Sequence, residues 1–455
     1  MLTLIVVVFI LGYLAIALEH QLEINKAAAA LLIGAVCWAL YAIGYEALVP
    51  MSVIPAEFVE AQLVAGVDPS EIPRAFLVEN QFLHLVAETA YILFFLMGAM
   101  TIVELVDAHE GFSVITRNIT SRSRTKLLWI VSWLTFFTSA VLDNLTTTIV
   151  MISLLRKVVP DRQTRLFFAG MVIVAANAGG AWTVIGDVTT TMLWIRQKIG
   201  PVEVMRDLFL PSVVCLLVPL LIVGRLVKGE MSAVAQPVMV GLEENGDNGG
   251  IQEWHRTLFL VLGVLGLLSV PVFKAYTHLP PFVGMMLSLA ILWIVSEFVD
   301  RTLDEATRSS TGVVAVLKRI DMATVLFFLG ILLAVGALAA TGVLPSIAVR
   351  LDQLLPNRDV IAFVIGLVSA VVDNVPLVAA GMDMYDLPMN HRFWMLLAYS
   401  AGTGGSCLVI GSAAGVAAMG LERIDFLWYA RKIGPFALLG YIGGALVFLL
   451  QHGLL

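Results

Sequence analysis

The chain reads as an all-α polytopic membrane protein built as an inverted repeat, and three observations predict it. Of its 455 residues, 59% are hydrophobic and 13% charged, with a mean hydropathy of +0.93, whereas soluble domains carry roughly 25% charge. Apolar windows near the ~20 residues that cross a bilayer recur along the chain, with no strand-like alternation between them. Finally, SAVLDNLTTTIVM at Ser139–Met151 nearly recurs as SAVVDNVPLVAAGM at Ser369–Met382, 230 positions later. A carboxylate in hydrocarbon costs about 2.5–3.5 kcal/mol even on lenient scales, and this chain bears that cost twice.

In chain order the windows fall at about 2–18, 27–45, 84–106, 166–195, 208–227, 255–272, 281–300, 321–341, 391–420 and 433–451. They are ten expected spans, with two further apolar segments around the Asp-Asn motifs. The first window has no basic region before it and reaches its first charge at Glu19, so it reads as a retained helix. Cys37, Cys215 and Cys407 are single and far apart, which suits core packing and no disulfide or metal framework. His20, His109, His255, His278, His391 and His452 lie at segment ends and read as loop residues. The tryptophans read as packing or interface anchors. No basic cluster or nucleotide fingerprint argues for nucleic acid.

Four blocks repeat in the same order. Leu93-Phe-Phe-Leu96 answers Leu326-Phe-Phe-Leu329, and SAVLDN answers SAVVDN. Gly179-Gly-Ala-Trp-Thr-Val-Ile-Gly186 answers Gly404-Gly-Ser-Cys-Leu-Val-Ile-Gly411, and Lys198-Ile-Gly-Pro201 answers Lys432-Ile-Gly-Pro435. The reading is a first repeat at 1–227, a hydrophilic cytoplasmic linker at 228–254 and a second repeat at 255–455. Each repeat is expected to hold five spans and one Asp-Asn segment.

Basic residues set the orientation. The first Asp-Asn segment is flanked by Arg117, Arg122, Arg124 and Lys126 before it and by Arg156, Lys157, Arg162 and Arg165 after it. The positive-inside rule puts both flanks in the cytoplasm, so the segment, about 127–155, is expected to be a re-entrant hairpin. As one straight helix it would run about 43 Å, too long for ~30 Å of hydrocarbon. The second hairpin is expected at about 360–382, where Pro376 starts a helix better than it continues one. Tracing onward leaves 19 of the 27 Lys and Arg inside and both termini outside.

Hairpin tips free backbone carbonyls and N–H groups in mid-membrane. Asn144 and Asn374 suit the caps of the second arms, leaving Asp143 and Asp373 to face whatever enters. Asn177-Ala-Gly-Gly180 and Gly402-Thr-Gly-Gly405 are expected to interrupt broken helices at about 166–195 and 391–420. Such segments in matching positions of inverted halves point to a transport site. Asp187 is a separate signal, placed on one helical face with Thr190 and Thr191; its repeat partner is Ser412, and an arginine elsewhere is the alternative partner for its charge. Thr146, Thr147 and Thr148 answer Pro376 to Val378, so the first half is richer in the oxygen that hard cations prefer. His84 and Glu88, four apart at the start of a span, are candidates for a pH-responsive gate or a simple interfacial pair.

At these residues the sequence resembles the NhaD-type sodium/proton antiporters, a branch of the larger ion-transporter superfamily. The resemblance rests on SAVLDNLTTTIVM, NAGGAWTVIGDVTTTMLWI and SAVVDNVPLVAA and covers nearly the whole chain. It implies exchange of Na+ or Li+ for H+ with no cofactor, and a homodimer embedded in lipid of the inner (plasma) membrane. The site residues it implies are Ser139, Asp143, Asn144, Asn177, Asp187, Thr189, Thr190, Ser369, Asp373 and Asn374. Na+ is expected mainly at Asp143, Asn144, Asn177 and Asp187, with Thr146 and Thr147 beside them. The second broken helix departs from the pattern, since GTGGSC carries no Asn answering Asn177.

Two rivals are weaker. A sodium-coupled dicarboxylate symporter of the same fold would carry Ser-Asn-Thr at its tips, where this chain has Asp and repels anions. A membrane enzyme is disfavoured because the chain has no HExxH, no nucleophile elbow and no His pair at ligand spacing within a span.

Overall fold

Local chemistry starts and stops the helices. In a computed structural model that describes residues 1–17, 19–116, 121, 123–230, 250–355, 357–453, the chain is helical with no strand among them, only an isolated bridge between Ser123 and Glu230. The centre of the expected linker, 231–249, and the flanking Arg117 and Arg122 lie outside the described residues. The first half holds α1 (Leu2–Ala17), α2 (Lys26–Ile43), α3 (Leu83–Ala108), α4 (Arg124–Leu142), α5 (Asn144–Val158), α6 (Arg162–Gly180), α7 (Val188–Ile195) and α8 (Pro201–Leu226). The second holds α9 (Glu253–Thr277), α10 (Pro281–Asp300), α11 (Met322–Ala340), α12 (Val343–Leu354), α13 (Arg358–Val368), α14 (Asn374–Met384), α15 (Arg392–Gly404), α16 (Ala413–Glu422) and α17 (Gly434–Gln451).

Starts follow the expected chemistry. Asn25 caps α2 through the Ala27 N–H, Asp161 caps α6 through Thr164, and Asp321 caps α11 through Thr324. Pro201 and Pro281 open α8 and α10, where a missing N–H costs nothing. Among the described residues eight helices are long and apolar enough to cross a membrane, including α4. Ten continuous spans were expected. The difference has a physical origin: α1 has 16 residues, and the windows at 166–195 and 391–420 are each two helices separated by irregular backbone, at 181–187 and 405–412.

The chain forms two compact units. The first is Met1–Leu93, Asp321–Asn357 and Ala379–Asp386. Its core is the crossing of α2 and α11, where Gly34 and Gly330 let the backbones meet, since a Cβ on Gly34 would lie 2.6 Å from the Gly330 carbonyl oxygen. The Trp38 indole N–H donates to the Leu333 carbonyl at 2.8 Å, and the Tyr41 hydroxyl donates to the Ala340 carbonyl at 3.2 Å. These bonds satisfy polar atoms that burial would otherwise leave unpaired.

The second unit is Phe94–Ile320, Arg358–Val378 and Leu387–Leu455. Within it α4 packs on α6, α5 on α16, α8 on α17, and α13 on α15. Two of the segment-end histidines are buried, His109 in the turn after α3 and His255 in the first turn of α9. His109 is fully buried, with Nε2 3.0 Å from Asp300 Oδ1 and Nδ1 2.9 Å from the Leu105 carbonyl oxygen. Its ring stacks on Phe259. His255 is buried in the first turn of α9, and its Nδ1 accepts the Gln252 N–H at 2.9 Å. Both are drawn inside because the turn after α3 folds against the start of α9, where Arg256 pairs with Glu110 at 2.6 Å. The three cysteines are free and buried.

Candidate functional site

The site begins at the only residue between α4 and α5. Asp143 has φ 88° and ψ 159°, a region that costs a non-glycine residue about 1–3 kcal/mol. Its carboxylate offsets that strain by capping α5: Oδ1 accepts the Thr146 N–H at 2.8 Å and Oδ2 the Thr146 hydroxyl at 2.9 Å. The expectation that Asn144 supplies the cap is therefore corrected. An aspartate one residue earlier reaches the third N–H of the helix, and Asn144 becomes the first helical residue with its amide released.

That amide joins the other predicted residues. Asn144 Nδ2 donates to Asn177 Oδ1 at 3.0 Å and to Asp187 Oδ2 at 2.6 Å. Asn177 Nδ2 donates in turn to the Ser406 and Ser412 hydroxyls, both at 2.9 Å. Asp187 is 1% exposed and Asn177 is 0% exposed. In the sequence Ser412 stands out only as the counterpart of Asp187, and Ser406 does not stand out. No local signal marks Ser406, which reaches Asn177 across 229 residues.

Asp187 precedes α7 in extended conformation, at φ −146°, so the single helical face expected for Asp187, Thr190 and Thr191 does not form. Instead Asp187 caps the helix: Oδ1 accepts the Thr189 N–H at 2.8 Å and the Thr189 hydroxyl at 2.7 Å. Thr190 donates to the Asp187 carbonyl at 2.9 Å. Among the described residues no Lys, Arg or His pairs with Asp187 or Asp143, so the arginine alternative fails. Asp187 lies within electrostatic range of both Asp143 and Asp373. The Thr147 hydroxyl is buried one turn beyond Asp143 and has no hydrogen-bond partner among the described residues.

The glycine pairs also act differently from the expectation. α6 continues through Asn177 to Gly180, and α15 continues to Gly404, so the helices break after the glycines. What the glycines permit is close approach. A Cβ on Gly179 would overlap the Phe136 carbonyl oxygen, and one on Gly404 would overlap that of Gly366. Ser139 donates to the Ala176 carbonyl at 2.6 Å, and Ser369 donates to the Ala401 carbonyl at 3.0 Å. Each SAV turn is thereby stitched to the broken helix of its own half.

The second half supplies fewer polar groups. Asp373 accepts the Val375 N–H at 3.2 Å and so takes the capping role expected of Asn374. Asn374 is buried, and its amide has no hydrogen-bond partner among the described residues. Gly402 stands where the first half has Asn177, and a Cβ there would lie 3.9 Å from Asp187 Oδ2. The remaining pair, His84 and Glu88, belongs to the first unit. Nε2 and Oε1 are 3.3 Å apart, with side chains 72% and 34% exposed, so they are not part of the buried cluster.

Known proteins match this chain along its length. The citrate transporter family model (CitMHS) matches residues 6–389. Sodium/proton antiporter 1 of Arabidopsis thaliana is 46% identical over 451 residues, covering 98% of this chain and 72% of the relative. Sodium/proton antiporter 2 of the same plant is 41% identical over 98% of both chains. The Na(+)/H(+) antiporter NhaD of Vibrio cholerae is 31% identical over 474 residues, 98% of this chain and 91% of that protein. With matches of that identity and coverage, the chain belongs to the NhaD-type sodium/proton antiporters of the citrate transporter family.

Proposed function

We propose that this protein exchanges Na+ or Li+ for H+ across the membrane, and that the two compete for the carboxylates of the Asn144–Asn177–Asp187 cluster and its neighbour Asp143. One observation carries the reading. Asp187 is buried and bound by neutral donors alone, from Asn144 and Thr189. A buried ionised carboxylate demands a neutralising partner, and the described residues supply none. A cation or a proton does so, each excluding the other. If only neutralised states cross, loading on one side and unloading on the other give exchange. Asn144, Asn177, Thr146, Thr147, Thr189 and Thr190 offer the amide and hydroxyl oxygens that suit a hard cation, and Ser139 and Ser369 hold the turns in place. The family's citrate description favours a second reading, a sodium-coupled carboxylate symporter, but carboxylates at both turns repel that cargo.

The architecture belongs to the same proposal: two inverted repeats, 1–227 and 255–455, each with a re-entrant hairpin, in an inner-membrane homodimer with both termini outside. The matched Ser139–Ala176 and Ser369–Ala401 bonds and the matched glycine contacts support duplication. Cysteine labels at Ser121 and Pro160 should both react from the cytoplasm, and labels at Ala65 and Asp386 from outside; opposite sides for the first pair would remove the re-entrant reading. For exchange itself, everted vesicles with a pH dye should respond to NaCl and LiCl but not to KCl or a dicarboxylate. Protons raise the apparent KM for Na+ when they occupy the same group, so KM should climb as pH falls, by about tenfold per unit in the limit of one proton against one cation. A KM constant from about pH 6 to 9 in active vesicles would exclude competition.

A further inference from the structure

Three helices that meet at the cluster meet again at their other ends. α5 starts at Asn144, α6 carries Asn177 in its last turn, and α16 starts just after Ser412. Away from the cluster, Arg156 near the end of α5 and Arg165 in the first turn of α6 both grip Glu422, the last residue of α16. Arg156 Nε donates to Glu422 Oε1 at 2.7 Å and Arg165 Nε donates to Oε2 at 2.8 Å, so each oxygen holds one guanidinium. Arg156 also donates to the Leu421 carbonyl, and Arg165 Nη1 donates to the Val159 carbonyl at 2.8 Å. The Glu422 side chain is 2% exposed, against 17% for Arg165 and 47% for Arg156. At 1.5 Å per residue, Asn144 to Arg156 and Arg165 to Asn177 each span about 18 Å, and Ser412 to Glu422 about 15 Å.

We infer that Glu422 is a positioning residue for cation binding, acting through the three helices and touching no cargo. Rods of similar length tied at both ends cannot slide or rotate against each other without breaking one knot. At the cluster the knot is neutral and made of single hydrogen bonds, Asn144 to Asn177 and Asn177 to Ser412. At the far end it is a buried carboxylate bound by two charged donors, the stronger class of hydrogen bond. The stronger knot therefore sets the register, and the weaker one follows it. Losing the charge leaves two guanidinium groups without their shared counter-charge and lets α16 move relative to α5 and α6. Ser412 then drifts from Asn177, and the Asn177 carbonyl loses its fixed aim.

The inference rests on the site reading above, and the test separates the two. Glu422→Gln keeps the shape and one donor contact while removing the charge. Removing an outer partner of a metal ligand costs about 10–100-fold in affinity, and a remote clamp belongs at the low end, about tenfold in KM for Na+. Vmax per folded molecule should stay within about twofold, because no group that meets the cargo changes. A merely structural role would instead lower the amount of folded protein and leave KM unchanged. Arg156→Gln, half-exposed and easier to tolerate, should raise KM in the same direction by a smaller factor, and Arg165→Lys should retain more affinity than Arg165→Gln. Asn177→Ala is the reference for the site. A raised KM in Asn177→Ala with unchanged KM in Glu422→Gln and Arg156→Gln overturns the clamp alone. Unchanged KM in all three overturns the clamp and the site together.

Discussion

The two Asp-Asn turns share their words and differ in their geometry. At the first, α4 gives way to α5 across the single residue Asp143, held at positive φ with both carboxylate oxygens on Thr146. At the second, α13 stops at Val368 and five residues, 369–373, precede α14. The position answering Thr146 is Pro376, which has no N–H to donate and no hydroxyl. Asp373 accordingly turns to Val375, one residue earlier. The contrast continues outward: Asn144 reaches Asn177 and Asp187, whereas Asn374 faces a half in which Gly402 and Ser412 stand in their places. The two turns share a sequence motif, and a few side chains make the first of them the richer in polar groups, as the proposed cation site requires.

From that inequality the largest effect should come from the most buried charge of the site. Asp187→Asn should lower exchange by about 100-fold or more, since a desolvated charge interaction is worth several kcal/mol. Ser412→Ala, its counterpart, should cost about 1 kcal/mol, roughly fivefold in Na+ affinity. Comparable losses in dye-quench assays of the two variants would erase the distinction between halves. Next comes Asp143→Asn, expected to raise KM for Na+ by about 30-fold, smaller than Asp187→Asn because Asp143 is only half-buried. Ser369→Ala should again fall near fivefold, and equal shifts in KM would show that the first turn is not favoured.

The amides sharpen the comparison at lower amplitude. Asn144→Ala leaves Asn177 Oδ1 and Asp187 Oδ2 without their donor and should raise KM by about tenfold, or ~1.4 kcal/mol. Asn374→Ala removes an amide with no partner and should change KM by less than about threefold; the reverse ranking would place the binding oxygens in the second half. Smallest of all, Pro376→Thr would equip the second turn with the missing N–H and hydroxyl. A gained cap is worth about 1 kcal/mol, seen as a higher melting temperature in detergent with Na+ affinity unchanged. A melting temperature at or below that of the wild type would mean that Pro376 is not what separates the turns.

Much of this was legible in the chain. The glycine pairs, the Asp-Asn words and their spacing marked where helices would break, because breaks depend on residues a few positions apart. The roles within each break differ from the expectation by one residue or one turn. Asn144 was expected to cap, yet capping goes to whichever side chain meets the third N–H, and that depends on the φ of Asp143. His109 and His255 looked like loop residues because a sequence shows only that they end apolar segments. Burial there was decided by the approach of α9 to the turn after α3. Ser406 and Glu422 carried no local mark at all.

Composition, apolar spacing and the repeated blocks by themselves determined a helical membrane protein with recurring motifs and a carboxylate at each of two matched breaks. Those are consequences of short-range rules: hydrocarbon excludes charge, and backbone groups must be satisfied within the segment. Only the tertiary structure decided that Asn144, Asn177, Asp187, Ser406 and Ser412 form one network, and that Arg156 and Arg165 share Glu422. Those partners lie 33 to 266 residues apart. A hydrogen bond is selected by distance and direction in space, and neither is set until the helices that carry its two ends have packed.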